Sequence, residues 1–95
     1  MRMMLKAQIP VAKGNEMIRS GNMKGFMEKV MTELQPEAAY FYAEDGLRTP
    51  VFIFDAKESS DTVRIAEAFF AELEAKVHLI PVMTWEDLQR GLAQV

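Results

Sequence analysis

Apolar and polar residues alternate along the start of the chain. Met3, Leu5, Ala7, Ile9 and Val11 fall on one side, and Met4, Lys6, Gln8 and Pro10 on the other. This is the period of a strand with one apolar face, predicted over residues 3–11. Ala12-Lys13-Gly14-Asn15 breaks it, with Asn15 placed to cap a helix. From Glu16 to about Leu34 the period lengthens: Met23, Phe26, Met27, Val30, Met31 and Leu34 recur at spacings of three and four. Gly21 and Gly25 mark a kink, a break between two helices, or a close contact with a sheet. Gln35-Pro36 ends the helix, because the residue before a proline disfavours helical geometry.

Residues 38–43 predict a second strand, and Asp45-Gly46 a hairpin turn. Pro50 is expected to limit the start of the third strand, whose centre is Val51–Phe54. Glu58-Ser59-Ser60-Asp61 offers several caps for a helix with Ile65, Ala66, Phe69, Phe70 and Leu73 on its apolar face. Val77 to Met83 predicts a fourth strand. Thr84 and Asp87 stand at capping-box spacing before a short terminal helix, which Leu88, Leu92 and Val95 are expected to dock. The order is βαββαβ plus a helix. It predicts one α+β domain over residues 1–95, ferredoxin-like, with a four-stranded antiparallel sheet and the long helices on one face.

The strands carry a further signal. A sheet with helices on one face and water on the other alternates cleanly. Here Val51 and Ile53 oppose Phe52 and Phe54, Tyr40 and Tyr42 oppose Phe41, and Ile80 and Val82 oppose Val77 and Leu79. Both faces are largely apolar, and helices can bury only one. The second face needs a cover, which is either a second copy of the chain or the terminal helix folded back. The homodimer is the expectation.

Composition narrows the function. The chain has 95 residues, a net charge of −3 and no cysteine. Thiolate catalysis and cysteine-held metals are therefore excluded. Lys and Arg are scattered, so no cationic surface for nucleic acid is expected. The start of the chain is interrupted by Lys6 and Gln8 before any signal-type apolar stretch forms, and no run approaches membrane-spanning length. A cytoplasmic protein without membrane or nucleic-acid partners is the expectation.

The strand–helix–hairpin–helix–strand order, the two-sided sheet and the length resemble the dimeric α+β-barrel superfamily. That group includes antibiotic-biosynthesis monooxygenases, muconolactone isomerases and chlorite-dismutase-like proteins. The resemblance covers nearly the whole chain and is one of architecture. It implies two sheets packed face to face, with pockets between each sheet and its helices. Ile9–Asn15, Ile18–Gly21 and Pro36–Phe41 are also similar to segments of uncharacterised bacterial proteins, which implies no activity. Haem-degrading members of the superfamily use a histidine with asparagine and tryptophan partners. Asn15 after the first strand and Trp85 at the terminal helix depart from that arrangement, so the activity is not carried over.

Asn15, Arg19 and Ser20 form the densest polar cluster and suit a carboxylate or phosphate at a helix start. The plainer account is an N-cap with a solvated or ion-paired arginine. Met17, Met23 and Met27 would supply an adaptable apolar wall nearby. His78, the only histidine, is either a packed residue or a general base. These four, Asn15, Arg19, Ser20 and His78, are the candidate ligand-binding residues. Tyr40, Tyr42 and Trp85 read as interface anchors before pocket walls. No metal motif, phosphate loop or nucleophile elbow is present, and no cofactor is expected. The expected function is a dimeric module that binds a small amphipathic ligand or regulates a partner. The alternative is a cofactor-independent monooxygenase- or isomerase-like enzyme acting on a small, partly aromatic substrate.

Overall fold

The computed structural model describes all 95 residues. Its elements are β1 (Arg2–Gln8), α1 (Val11–Arg19), α2 (Asn22–Leu34), β2 (Ala38–Glu44), β3 (Leu47–Asp55), α3 (Ser59–Leu73), β4 (Lys76–Pro81) and α4 (Trp85–Leu92). The strands form one antiparallel sheet in the order β2-β3-β1-β4. Each half thus returns to the sheet with one strand between its own two, which is the ferredoxin-like arrangement.

The helix expected from Glu16 is two helices, and it starts earlier. Pro10 takes the N-cap position with φ −55° and ψ 139°, and the Gly14 amide donates to the Pro10 carbonyl at 2.9 Å. Proline has no N–H to carry the ladder on, so β1 stops short of it. Asn15 therefore lies inside α1 and is not a cap. Gly21 adopts φ +77° and separates α1 from α2. A left-handed residue costs glycine little and other residues more, so the break falls there. Gly25 sits in α2 with nothing near it and marks neither a break nor a close contact. Gln35, also left-handed, closes α2 just before Pro36.

Pro50 lies inside β3 and not at its start. On the β2 side the ladder runs past it, with Phe41 opposite. On the β1 side pairing is continuous from Arg2–Asp55 to Lys6–Val51 and returns only at Ile9–Arg48. The gap falls where proline has no N–H to give.

One sheet face carries α1, α2 and α3. Leu5, Ile9, Phe52, Phe54, Phe69 and Leu73 fill the layer between and are almost wholly inaccessible. Phe26 from α2 meets Phe69 from α3 edge-to-face at 5.1 Å, tying the two helices together above the sheet. Phe52 and Phe54 both face the helices. Val51 and Ile53 face away.

That other face stays open. The register gathers Met4, Ile53 and Ile80 side by side, with Val51 and Tyr40 next to them. Tyr40 is 64% exposed and Ile80 43%. The terminal helix does not cover them. Thr84 and Asp87 form the expected capping box, each bonding the other's backbone amide. The docking expected of Leu88, Leu92 and Val95 is absent. No residue of α4 is buried, and Trp85 and Leu92 are 62% and 57% exposed. An ion pair between Arg2 and Asp87 at 3.5 Å ties the base of α4 to the sheet. The molecule is accordingly long, with extents of 52 × 27 × 17 Å.

Candidate functional site

The proline start and glycine break tilt α1 and α2 over the free end of the β2–β3 hairpin. Between them lies a cleft of about 340 Å³. Ile18, Met23 and Met27 line it from the helices, and Phe41, Ala43 and Pro50 from the hairpin. Small-molecule sites are concave, mostly apolar and hold few polar groups, and this volume is at the small end of their range of roughly 300–1,000 Å³. Three other depressions are larger, at about 380, 400 and 500 Å³, but each has charged groups in its lining. Several of those charges already pair, Arg64 with Glu33 at 2.7 Å and Lys13 with Glu16 at 3.4 Å.

The cleft opens between the first helical segment and the sheet; two of the three expected methionines line it, and Asn15, Arg19 and Ser20 do not. The polar groups are arranged differently. Asn15 Oδ1 accepts a hydrogen bond from Arg48 Nη2 at 3.0 Å. Arg48, at the cleft rim, was not singled out by the sequence. Arg19, four residues after Asn15 on α1, is exposed and makes no ion pair. The Ser20 hydroxyl donates to the Met17 carbonyl at 3.1 Å. The free amides expected at Asn15 belong to residues nearer Pro10, because the helix begins there. His78 is on the other side of the molecule. It pairs with Lys6 on the open sheet face, so the four candidates do not converge.

His78 lies beside a second polar group of residues. Glu44 accepts from Lys6 Nζ at 2.5 Å, from the Tyr42 hydroxyl at 2.9 Å and from Gln8 Nε2 at 3.1 Å. The Lys6 and Tyr42 hydrogen bonds hold the Glu44 carboxyl below its usual range, with the charges of Lys6 and His78 adding to them. The same contacts push Lys6 and Tyr42 above their usual values. Thr49, beneath this network, is buried with its hydroxyl on the Leu47 carbonyl at 2.9 Å.

The direction of the Glu44 shift gives a pH dependence. A carboxyl depressed in the folded state stabilises the fold above its ordinary value of 4.5, and that stability is lost as pH falls through the depressed value. Wild type should therefore lose more stability than Glu44→Gln between about pH 6 and about pH 3. Denaturant midpoints for the two proteins at both ends check this. Parallel falls would mean that the network contributes nothing to the acid response.

Fold and cleft together define a small α+β protein of ferredoxin-like topology with an apolar cleft between its helices and hairpin. No protein-family model matches the chain, and no curated protein matches it. No helix is long and apolar enough to cross a membrane.

Proposed function

We propose that this protein is a self-associating module of the dimeric α+β-barrel kind that binds a small amphipathic ligand in the cleft beneath each helical layer. The cleft carries the reading: flexible methionines on one wall, aromatic and proline surface on the other, and a cation at the rim. Its lining holds no carboxylate and no imidazole, and the hydroxyl of its one phenol, Tyr42, is engaged with Glu44. That favours binding or regulation over proton-transfer chemistry, which needs a free acid or base within hydrogen-bond reach.

Self-association is supported by two apolar surfaces that lack a cover in one chain. Four strands of about seven residues give a flat sheet footprint of roughly 400–450 Å², from strand spacing near 4.8 Å and a rise near 3.3 Å. One partner in a standard interface contributes about 800 Å². The apolar stripe of α4, with Trp85, Leu88 and Leu92, supplies more of the same kind of surface. A second copy that takes both satisfies the open face and the free helix at once.

Titration with a neutral naphthylamine dye, whose fluorescence rises in apolar surroundings, tests the cleft. Wild type should bind it saturably. Ala43→Trp fills the cleft from an exposed edge position that tolerates an aromatic residue, and it should abolish binding without unfolding the protein. Saturable binding that survives Ala43→Trp would move the site elsewhere, and no binding to wild type would remove the reading.

A further inference from the structure

We propose that Arg48 is the anion-recognition residue of the cleft, and that the ligand is a small monocarboxylate whose apolar tail lies against Met23, Met27 and Phe41. This rests on the binding reading above and adds the charge and class of the ligand.

Arg48 is on the helix-facing side of β3, in step with Pro50 and Phe52. That side is otherwise apolar, and the aliphatic stem of Arg48 follows suit by lining the cleft while the charged head reaches its rim. The charge there is uncompensated. Arg2 pairs with Glu37 and Asp87, Arg64 with Glu33 and Asp61, and Arg90 with Asp87. Arg48 pairs with no carboxylate, and its one side-chain partner is the neutral Asn15 amide. Arg19 is also free of carboxylates, but it has no such anchor and lines no cleft.

The guanidinium is also seated. A Cβ on Gly14 would overlap Arg48 Nη1 and lie 3.2 Å from its Cζ. Glycine is among the poorest helix formers, yet here it stands in the first turns of α1, where its missing side chain is the space the guanidinium occupies. Asn15 and Gly14 together hold the cation over the cleft mouth with further N–H donors unused. A guanidinium fork matches the two oxygens of a carboxylate. No second cation lines the cleft, so one negative charge is matched and a dianion is not. The remaining lining accepts a short hydrocarbon chain or a single ring.

Octanoate and octanol share a tail and differ in charge, and displacement of the neutral dye reads the affinity of each. Wild type should bind octanoate about tenfold more tightly than octanol, the scale of one charge-assisted hydrogen bond beyond a neutral one. In Arg48→Met that ratio should collapse to near one with octanol affinity unchanged. Gly14→Ala adds a methyl at a helical position, which keeps the fold and displaces the guanidinium, so it should lower the ratio too. Equal affinity of wild type for the two compounds would overturn the assignment, as would a preference that persists in both variants. Dye binding with displacement by neither compound overturns the carboxylate while leaving the cleft. Absence of dye binding overturns both.

Discussion

Replacing Ile53 with arginine is expected to halve the mass of the protein in solution. Light scattering of the wild type at micromolar concentration should report twice the 10.8 kDa chain, and Ile53→Arg should report the chain alone. Ile53 stands opposite Met4 on β1 and Ala38 on β2, near the middle of the open sheet face. In a face-to-face dimer the substitution buries two unpaired charges near the symmetry axis, one from each copy, at several kcal/mol per ion. In a monomer Ile53 is only partly covered, and a long arginine side chain there can carry its charge out to water. Far-ultraviolet circular dichroism should therefore change little while the mass falls. A wild type that runs as a monomer at micromolar concentration would end the proposal. A dimer untouched by Ile53→Arg would place the interface on another surface.

Phe69→Ala should cost about 3–5 kcal/mol, the range for deleting a buried aromatic ring from a packed core. Phe69 is fully buried, with the Phe26 ring at 5.1 Å and the Phe52 ring at 6.3 Å. It joins α2, α3 and the sheet, so no single neighbour can relax into the space it leaves. Domains of this size are stable by about 5–15 kcal/mol, and the loss takes a large part of that. The urea midpoint should fall sharply with little change in slope. Phe70, the next residue, is 45% exposed and is the control. Phe70→Ala should shift the midpoint far less. Equal losses from the two would mean that α3 presents a different face to the sheet.

The strands were the most legible part of the chain, because their signal is local. The alternation through Val51–Phe54 placed two faces before any partner strand was known. The Thr84–Asp87 box was equally readable, since both halves of it lie within one turn. The first helix was harder. Pro10 continued the alternation of β1, and Asn15 is a frequent cap, so strand and cap signals both pointed past the true start at Val11. Propensity there yields to where the chain must turn to clear the sheet. The exposure of α4 is not legible for a different reason: amphipathicity shows that a helix has an apolar face but not that its own chain supplies the opposing one. Arg48 carries a signal of its own in the register of β3. Counting back by twos from Phe52 puts Pro50 and then Arg48 on the core side, and a cation in an apolar register asks what it serves. Its contact with Gly14 and Asn15 spans more than thirty residues of sequence, and the register of the sheet reveals it.

The strand order leaves β2 and β4 as the two margins of the sheet, and they are unequally defended. Along β4, Lys76 and Pro81 stand at the two ends, a charge and a missing donor of the kind that discourages another strand from adding on. Along β2 the residues between Ala38 and Glu44 include no proline and no lysine, and Tyr40-Phe41-Tyr42 forms an exposed aromatic centre. Its outward amides and carbonyls form an open ladder, a template for pairing by backbone alone. Growth of the sheet by strand addition is thus opposed at one margin by chemistry built into the strand. At the other, protection falls to the side chains of Glu44 and its neighbours, and to how fully any bound subunit or ligand shades the hairpin.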